Sequence, residues 1–183
     1  MSDPENPWKT LGSRRIYDTA WFAVREDRVI RPDGDIGTYS VVEANRWALG
    51  IVPLWPDQTV TLVGQYRYPI GEYSWEIPEG GGDLTVDPLA GAKQELLEET
   101  GIQARLWKYM GRCHTSNCFV NEVAHLYLAT DLTQGVPRPG GDEKLKTSRI
   151  SLREALEMAQ DGRMTDSISV VGVFRAARHV GLL

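Results

Sequence analysis

The stretch from Trp75 to Ile102 constrains this chain most: Trp-Glu-Ile-Pro-Glu-Gly-Gly-Gly-Asp, a short spacer, then one strong helix signal. Asp87-Pro88 starts the helix, because Asp is a good N-cap and Pro is tolerated at the first helical position. Gly101 stops it, since glycine takes the left-handed C-terminal conformation at little steric cost. On a helix over 88–100, Glu95, Glu98 and Glu99 fall within an arc of about 100°. Leu89 and Leu96 lie on one flank, Ala90 and Leu97 toward the other, and the small Gly91 and Ala92 sit beside the carboxylates. Three carboxylates at i, i+3 and i+4 repel one another, and the C-terminal end of the helix dipole also disfavours them. A bare E-x-x-E-E is usually a solvated face. Here, however, a local rule is broken, which is where functional sites are expected. A divalent cation removes the conflict. Hard oxygen ligands suit Mg²⁺ or Mn²⁺, and Mg²⁺ favours a few carboxylates with waters and substrate phosphates. The Gly-rich turn before the helix is expected to offer backbone carbonyls or to approach phosphates closely.

The charge pattern points to the same place. The 183 residues carry a net charge of −5. Between Glu72 and Glu99 stand eight acids and one base, Lys93, so that stretch is −7 and the remainder +2. The acidity therefore concentrates where a cation would be held. Mild overall acidity argues against a nucleic-acid partner gripped by a broad basic face. No run approaches the ~20 apolar residues of a membrane span, so no membrane partner is expected. The N-terminus is polar with no apolar leader, and two cysteines are too few for a disulfide scaffold. A reduced cytoplasmic compartment is the expectation. The three histidines show no metal-ligand spacing.

Around the helix the chain reads mostly as strands. Segments 14–17, 22–31 and 37–42 are β-like, with a hairpin turn at 31–35. Three short strands hold too little core to stand alone, so they must pack on the rest of the chain or on a second copy. Segments 48–53 and 59–66 flank Trp55-Pro-Asp57, another hairpin candidate, and 105–113 and 123–130 are further strands. Segment 134–142 is a Pro/Gly-rich loop. Ser151 caps a helix over 152–160 ended by Gly162, and Asp166 caps another over 167–179. Strands with a few interspersed helices indicate a mixed α/β (α+β) sandwich.

The string from Trp75 through Ile102 resembles the Nudix box, G-x5-E-x7-R-E-U-x-E-E-x-G-U with U a bulky apolar residue. It matches at Gly80, Glu95, Leu96, Glu98, Glu99, Gly101 and Ile102. It departs where the first box Glu is Val86 and the box Arg is Gln94, two positions that tend to pair with each other in the family. The resemblance implies a Nudix α/β/α sandwich over 46–183, preceded by an antiparallel β segment over 1–45. It also implies metal held by Glu95, Glu98 and Glu99 with a backbone carbonyl near Glu79–Gly80.

Residues ~14–45, the Gln65-Tyr-Arg-Tyr-Pro69 string and the Trp75–Gly80 entry narrow the resemblance to the ADP-ribose pyrophosphatase group. Such enzymes split nucleoside diphosphate sugars into a nucleoside monophosphate and a sugar phosphate, and are typically homodimers joined through the N-terminal β segment. By this resemblance Arg67 faces the substrate phosphates, Trp21 and Tyr39 match aromatics that sandwich the base, and Arg46 is an adjacent cationic candidate. Glu143 matches the loop acid that serves as general base or water-orienting group, with Glu122 as its rival; the box acids Glu98 and Glu99 complete the catalytic set. Glu76 and Glu79 flank the Gly-rich turn and are candidates for metal or sugar. The alternatives are a Nudix-fold sensor that binds nucleotide sugars without turnover, suggested by Val86 and Gln94, and a Nudix hydrolase of other nucleotides.

Overall fold

At the N-terminal end an antiparallel meander forms: β1 (Lys9–Asp18), β2 (Phe22–Ile30) and β3 (Ile36–Ala44). The computed structural model describes residues 5–138, 140 and 144–183, so Glu143 lies outside the described residues. The β2–β3 ladder runs unbroken from Phe22 opposite Ala44 to Ile30 opposite Ile36. Its turn works because Gly34 takes φ +90° while its N–H donates to the Arg31 carbonyl at 2.9 Å. β1 starts five residues before the expected strand and carries two register shifts, at Thr10/Gly12 and Arg15/Tyr17. Ser116–Glu122 joins this unit: the Val42 N–H donates to Phe119 O at 2.8 Å and the Asn121 N–H to Val42 O at 3.2 Å. By compactness, Met1–Arg46 with Ser116–Glu122 form one unit, and Trp47–Thr115 with Val123–Leu183 a second.

The second unit is organised by strands whose alternate residues feed two cores. Its elements are β4 (Arg46–Pro53), β5 (Thr59–Arg67), β6 (Glu72–Glu76), β7 (Glu79–Asp83), α1 (Pro88–Thr100), β8 (Ile102–His114), β9 (Val123–Gln134), β10 (Lys146–Ser151), α2 (Leu152–Asp161) and α3 (Ser167–His179). The four-stranded sheet has the order β7-β4-β9-β8, with β4 and β9 parallel; the three-stranded sheet is β10-β5-β6. From β4 and β9, Ala48, Val52, Ala124, Leu126 and Leu128 enter one core with Leu152 and Ala155 of α2 and Val173 and Ala176 of α3. Their neighbours Ile51, Tyr127 and Ala129 enter the other, with Ala92 and Leu96 of α1. Helices thus cover both faces of the sheet, giving the expected α/β/α sandwich, and a strand covered on both faces reads as a continuous apolar run. Each large aliphatic side chain buried this way contributes roughly 1.5–3 kcal/mol.

Two expectations need correction. The Trp55 turn closes, with Trp55 N–H to Thr59 O at 2.9 Å, but β4 and β5 then part into different sheets, linked by one bridge between Leu54 and Val60. A hairpin signal fixes the reversal, whereas β4 finds its partners in β7 and β9 because both of its faces are buried. The Gly-rich turn is the strand β7, and the turn falls later, where the Val86 N–H donates to Asp83 O at 3.1 Å. Glycine there serves close packing: a Cβ on Gly82 would come within 2.9 Å of Leu49 Cδ1. Leu97, on the flank of the carboxylate arc away from Leu96, is exposed. The short strands β6 and β10 were not anticipated. The capping expectations hold: Asp87, Ser151 and Asp166 accept from the N–H of Leu89, Glu154 and Ser169, and Gly101 and Gly162 are left-handed. Among the described residues no helix is long and apolar enough to cross a membrane.

Candidate active site

The box carboxylates are held by β7 and by α1 itself. Glu99 is buried, and its Oε2 accepts the Glu79 backbone N–H at 3.0 Å. The Glu95 carboxyl group lies where a Cβ on Gly80 would sit, so that such an atom would overlap Glu95 Cδ and both oxygens. Glycine at position 80 is therefore required by the carboxylate and not by backbone strain. Glu98 Oε1 accepts from Gln94 Nε2 at 2.9 Å, one helical turn back. The residue in place of the box Arg thus still steadies a box acid, while Val86 is nearly half exposed. Among the described residues no three His, Cys, Asp or Glu side chains are grouped closely enough to hold a metal ion by themselves. The carboxylates form a row along α1, two of them turned onto β7.

A second polar network lies on the other side of the Ile77–Gly80 segment. The Glu79 carboxyl accepts from Ser169 Oγ at 2.6 Å and hydrogen-bonds with Asp166. Burial, the charge of Asp166 and, more weakly, that of Glu76 hold it well above the ordinary carboxylate range. Ser169, fully buried, also accepts the Ile77 N–H at 3.0 Å. Arg67 binds both oxygens of the buried Glu76 through Nε, at 3.0 Å each, and again through Nη2. This pairing raises the guanidinium pKa and fixes the plane of the fork. Arg67, Ser74, Glu76, Thr165, Asp166 and Ser167 line a cavity of about 460 Å³ with Pro69 and Ile70. Ser169 and the acid–acid contact of Asp166 escaped the sequence reading, which gave Asp166 only a capping role; contacts 90 residues apart leave no local signal.

In the N-terminal unit, the Arg46 guanidinium carbon stands 4.9 Å from the centre of the Trp21 ring, a cation–π contact, and Trp21 is 64% exposed. The Tyr39 hydroxyl donates to the Cys118 carbonyl, and Trp8 meets the Tyr39 ring edge-on at 5.3 Å. Trp21 adjoins Phe22, opposite Ala44, whereas Tyr39 lies five residues back along β3, opposite Asp27. At ~3.4 Å per residue that is about 17 Å, so one protomer does not bring the two rings together. Glu122 ends the segment that packs on β3, beside Asn121, whose Oδ1 accepts the Ala44 N–H at 2.8 Å.

Comparison with known proteins gives two matching families. A model described as NUDIX domain covers residues 44–168, and one described as nucleoside diphosphate sugar hydrolase N-terminal domain covers 8–42. An ADP-ribose pyrophosphatase of Mycobacterium tuberculosis is 34% identical over 172 residues, 92% of this chain and 83% of that protein. A GDP-mannose pyrophosphatase of Klebsiella pneumoniae is 25% identical over 169 residues, covering 86% and 85%. A solved structure described as an ADP compounds hydrolase superposes with a TM-score of 0.86 at 19% identity, over 98% of this chain and 97% of that one, a likeness of fold.

Proposed function

The chain belongs to the Nudix family, in its ADP-ribose pyrophosphatase group, and is a pyrophosphohydrolase; on that footing we propose that it hydrolyses the pyrophosphate of ADP-ribose or a similar nucleoside diphosphate sugar, with Mg²⁺ or Mn²⁺, to a nucleoside monophosphate and a sugar phosphate. The observation that carries this reading is the seat of the box acids: Glu95 over the bare Gly80 and Glu99 on the Glu79 N–H.

The donor set fits a hard divalent cation, because Glu95, Glu98 and Glu99 offer only oxygen, and the missing side chain at Gly80 leaves room for the Glu95 carboxylate. These three, with a backbone carbonyl of Glu79–Gly80, would hold it. Bound there, the cation supplies charge neutralisation for the pyrophosphate and a more acidic water. The chain's own residues do the rest. Arg67, locked by Glu76 through Nε and Nη2, keeps Nη1 for a phosphoryl oxygen. A loop carboxylate, Glu143 or its rival Glu122, orients the attacking water or takes its proton. Trp21 with Arg46 stacked on it, and Tyr39, are the candidates to hold the base.

A homodimer fits the N-terminal unit. β1 is exposed along its whole length, with Leu11, Ile16 and Tyr17 uncovered, and a three-stranded sheet needs a covering partner. The two free thiols, Cys113 and Cys118, suit a reduced cytoplasm. The test is a turnover screen of ADP-ribose, ADP-glucose, GDP-mannose and UDP-sugars with each metal, with products identified, on wild type, Glu98→Gln and Glu99→Gln. Turnover that both glutamine variants lose supports the reading. No product from any nucleotide sugar, or wild-type kcat in both variants, refutes it.

A further inference from the structure

Ser169 of α3 stands at the junction of two networks, although it belongs to neither the box nor the loop acids. It is fully buried, and both functions of its hydroxyl are engaged: the oxygen accepts the Ile77 N–H at 3.0 Å and the proton goes to Glu79 Oε1 at 2.6 Å. Its own N–H is fixed by Asp166 at 2.7 Å, which ties the position to the first turn of α3. The backbone it grips is the one that seats the metal-binding acids. Ile77 and Glu79 bracket Pro78, whose carbonyl is held by the Ile51 N–H of β4 at 2.9 Å. The Glu79 N–H holds Glu99, and the next residue, Gly80, underlies Glu95.

We infer that Ser169 is a positioning residue for the metal site, setting the Ile77–Gly80 backbone so that Glu95 and Glu99 are presented together. This rests on the metal reading above. Removing the hydroxyl strands the buried Ile77 N–H and takes from Glu79 Oε1 its hydrogen bond to α3, so the segment loses two of its ties and the seat of the metal-binding acids loosens. No substrate contact is involved, so the loss falls on metal affinity and kcat while KM for the nucleotide sugar at saturating metal stays near wild type.

The test is Mn²⁺ affinity of the full chain, read as free Mn²⁺ by electron paramagnetic resonance, beside kcat and KM. Wild type, Ser169→Ala, Ser169→Thr, Glu99→Gln and the core control Val173→Ala are compared. Ser169→Ala is expected to weaken Mn²⁺ about tenfold. Ser169→Thr, which keeps the hydroxyl, restores it. Val173→Ala melts lower yet binds Mn²⁺ as wild type does. If Ser169→Ala does not fold, Ser169→Cys, similar in shape but a poor donor, is read in its place. Wild-type Mn²⁺ affinity in the Ala or Cys variant overturns the inference, as does an equal loss in Val173→Ala. No Mn²⁺ binding by wild type itself, or full binding by Glu99→Gln, instead overturns the metal reading on which it stands.

Discussion

Gly80→Ala separates the metal site from the fold. The position has an ordinary negative-φ backbone, since Gly80 is absent from the positive-φ glycines, so alanine fits the main chain. The three atoms nearest the added Cβ all belong to the Glu95 carboxyl group, the far end of a flexible side chain. Glu95 must move to admit it, and the expected stability change is that of an ordinary point substitution, about 1 kcal/mol. The displaced acid is, however, one of three proposed metal ligands. Mis-seating it should weaken Mn²⁺ about 10–100-fold, ~1.4–2.7 kcal/mol, with a matching fall in kcat at limiting metal. Thermal melting without metal, Mn²⁺ titration and steady-state kinetics measure the three quantities. A cycle with Glu95→Gln checks the route: if Gly80→Ala acts through Glu95 alone, the double variant is no worse than Glu95→Gln. Wild-type metal affinity in Gly80→Ala, or full additivity in the cycle, would falsify the reasoning.

Gly50→Ala makes the opposite contrast: its Cβ would lie 2.6 Å from Ile168 Cγ2 and 2.8 Å from Leu126 Cδ2, so chemical denaturation should show a loss of about 1–3 kcal/mol. Arg67→Ala leaves the Glu76 carboxylate, 3% exposed, without its cation; a loss of ~1–3 kcal/mol is expected, with kcat reduced as well, and Glu76→Gln in the same background should recover stability but not kcat. Asp57 is held down at about 2 by hydrogen bonds from Thr59 and Arg149. A depressed folded pKa contributes stability above the unfolded value, near 4, that is lost as pH falls toward 2. Asp57→Asn should therefore melt below wild type at pH 7, and the gap should close between pH 4 and 2; a gap independent of pH would contradict this.

What could be read from the residues was local or periodic. Asp87-Pro88 and Gly101 bounded α1 because caps and stops act within one turn of chain, and Ser151 and Asp166 did the same for α2 and α3. The spacing of Glu95, Glu98 and Glu99 marked the box, since like charges at that spacing conflict without a ligand. The sandwich followed from the mixture of strand and helix signals. Turn chemistry reached its limit at Trp55: it specified a reversal, but which sheet each strand joins depends on partners far along the chain, and β4 chose β7 and β9. The same limit turned Gly80–Gly82 from an expected turn into β7, because glycine's lack of a side chain serves close approach as well as bending. Only the tertiary structure decided that Glu99 sits on the Glu79 N–H, that Glu95 occupies the space over Gly80, and that Ser169 grips the strand between them from 90 residues away. Local sequence sets which residues carry charge and at what spacing; burial and backbone hydrogen bonding, which are properties of the packed chain, set where those charges point.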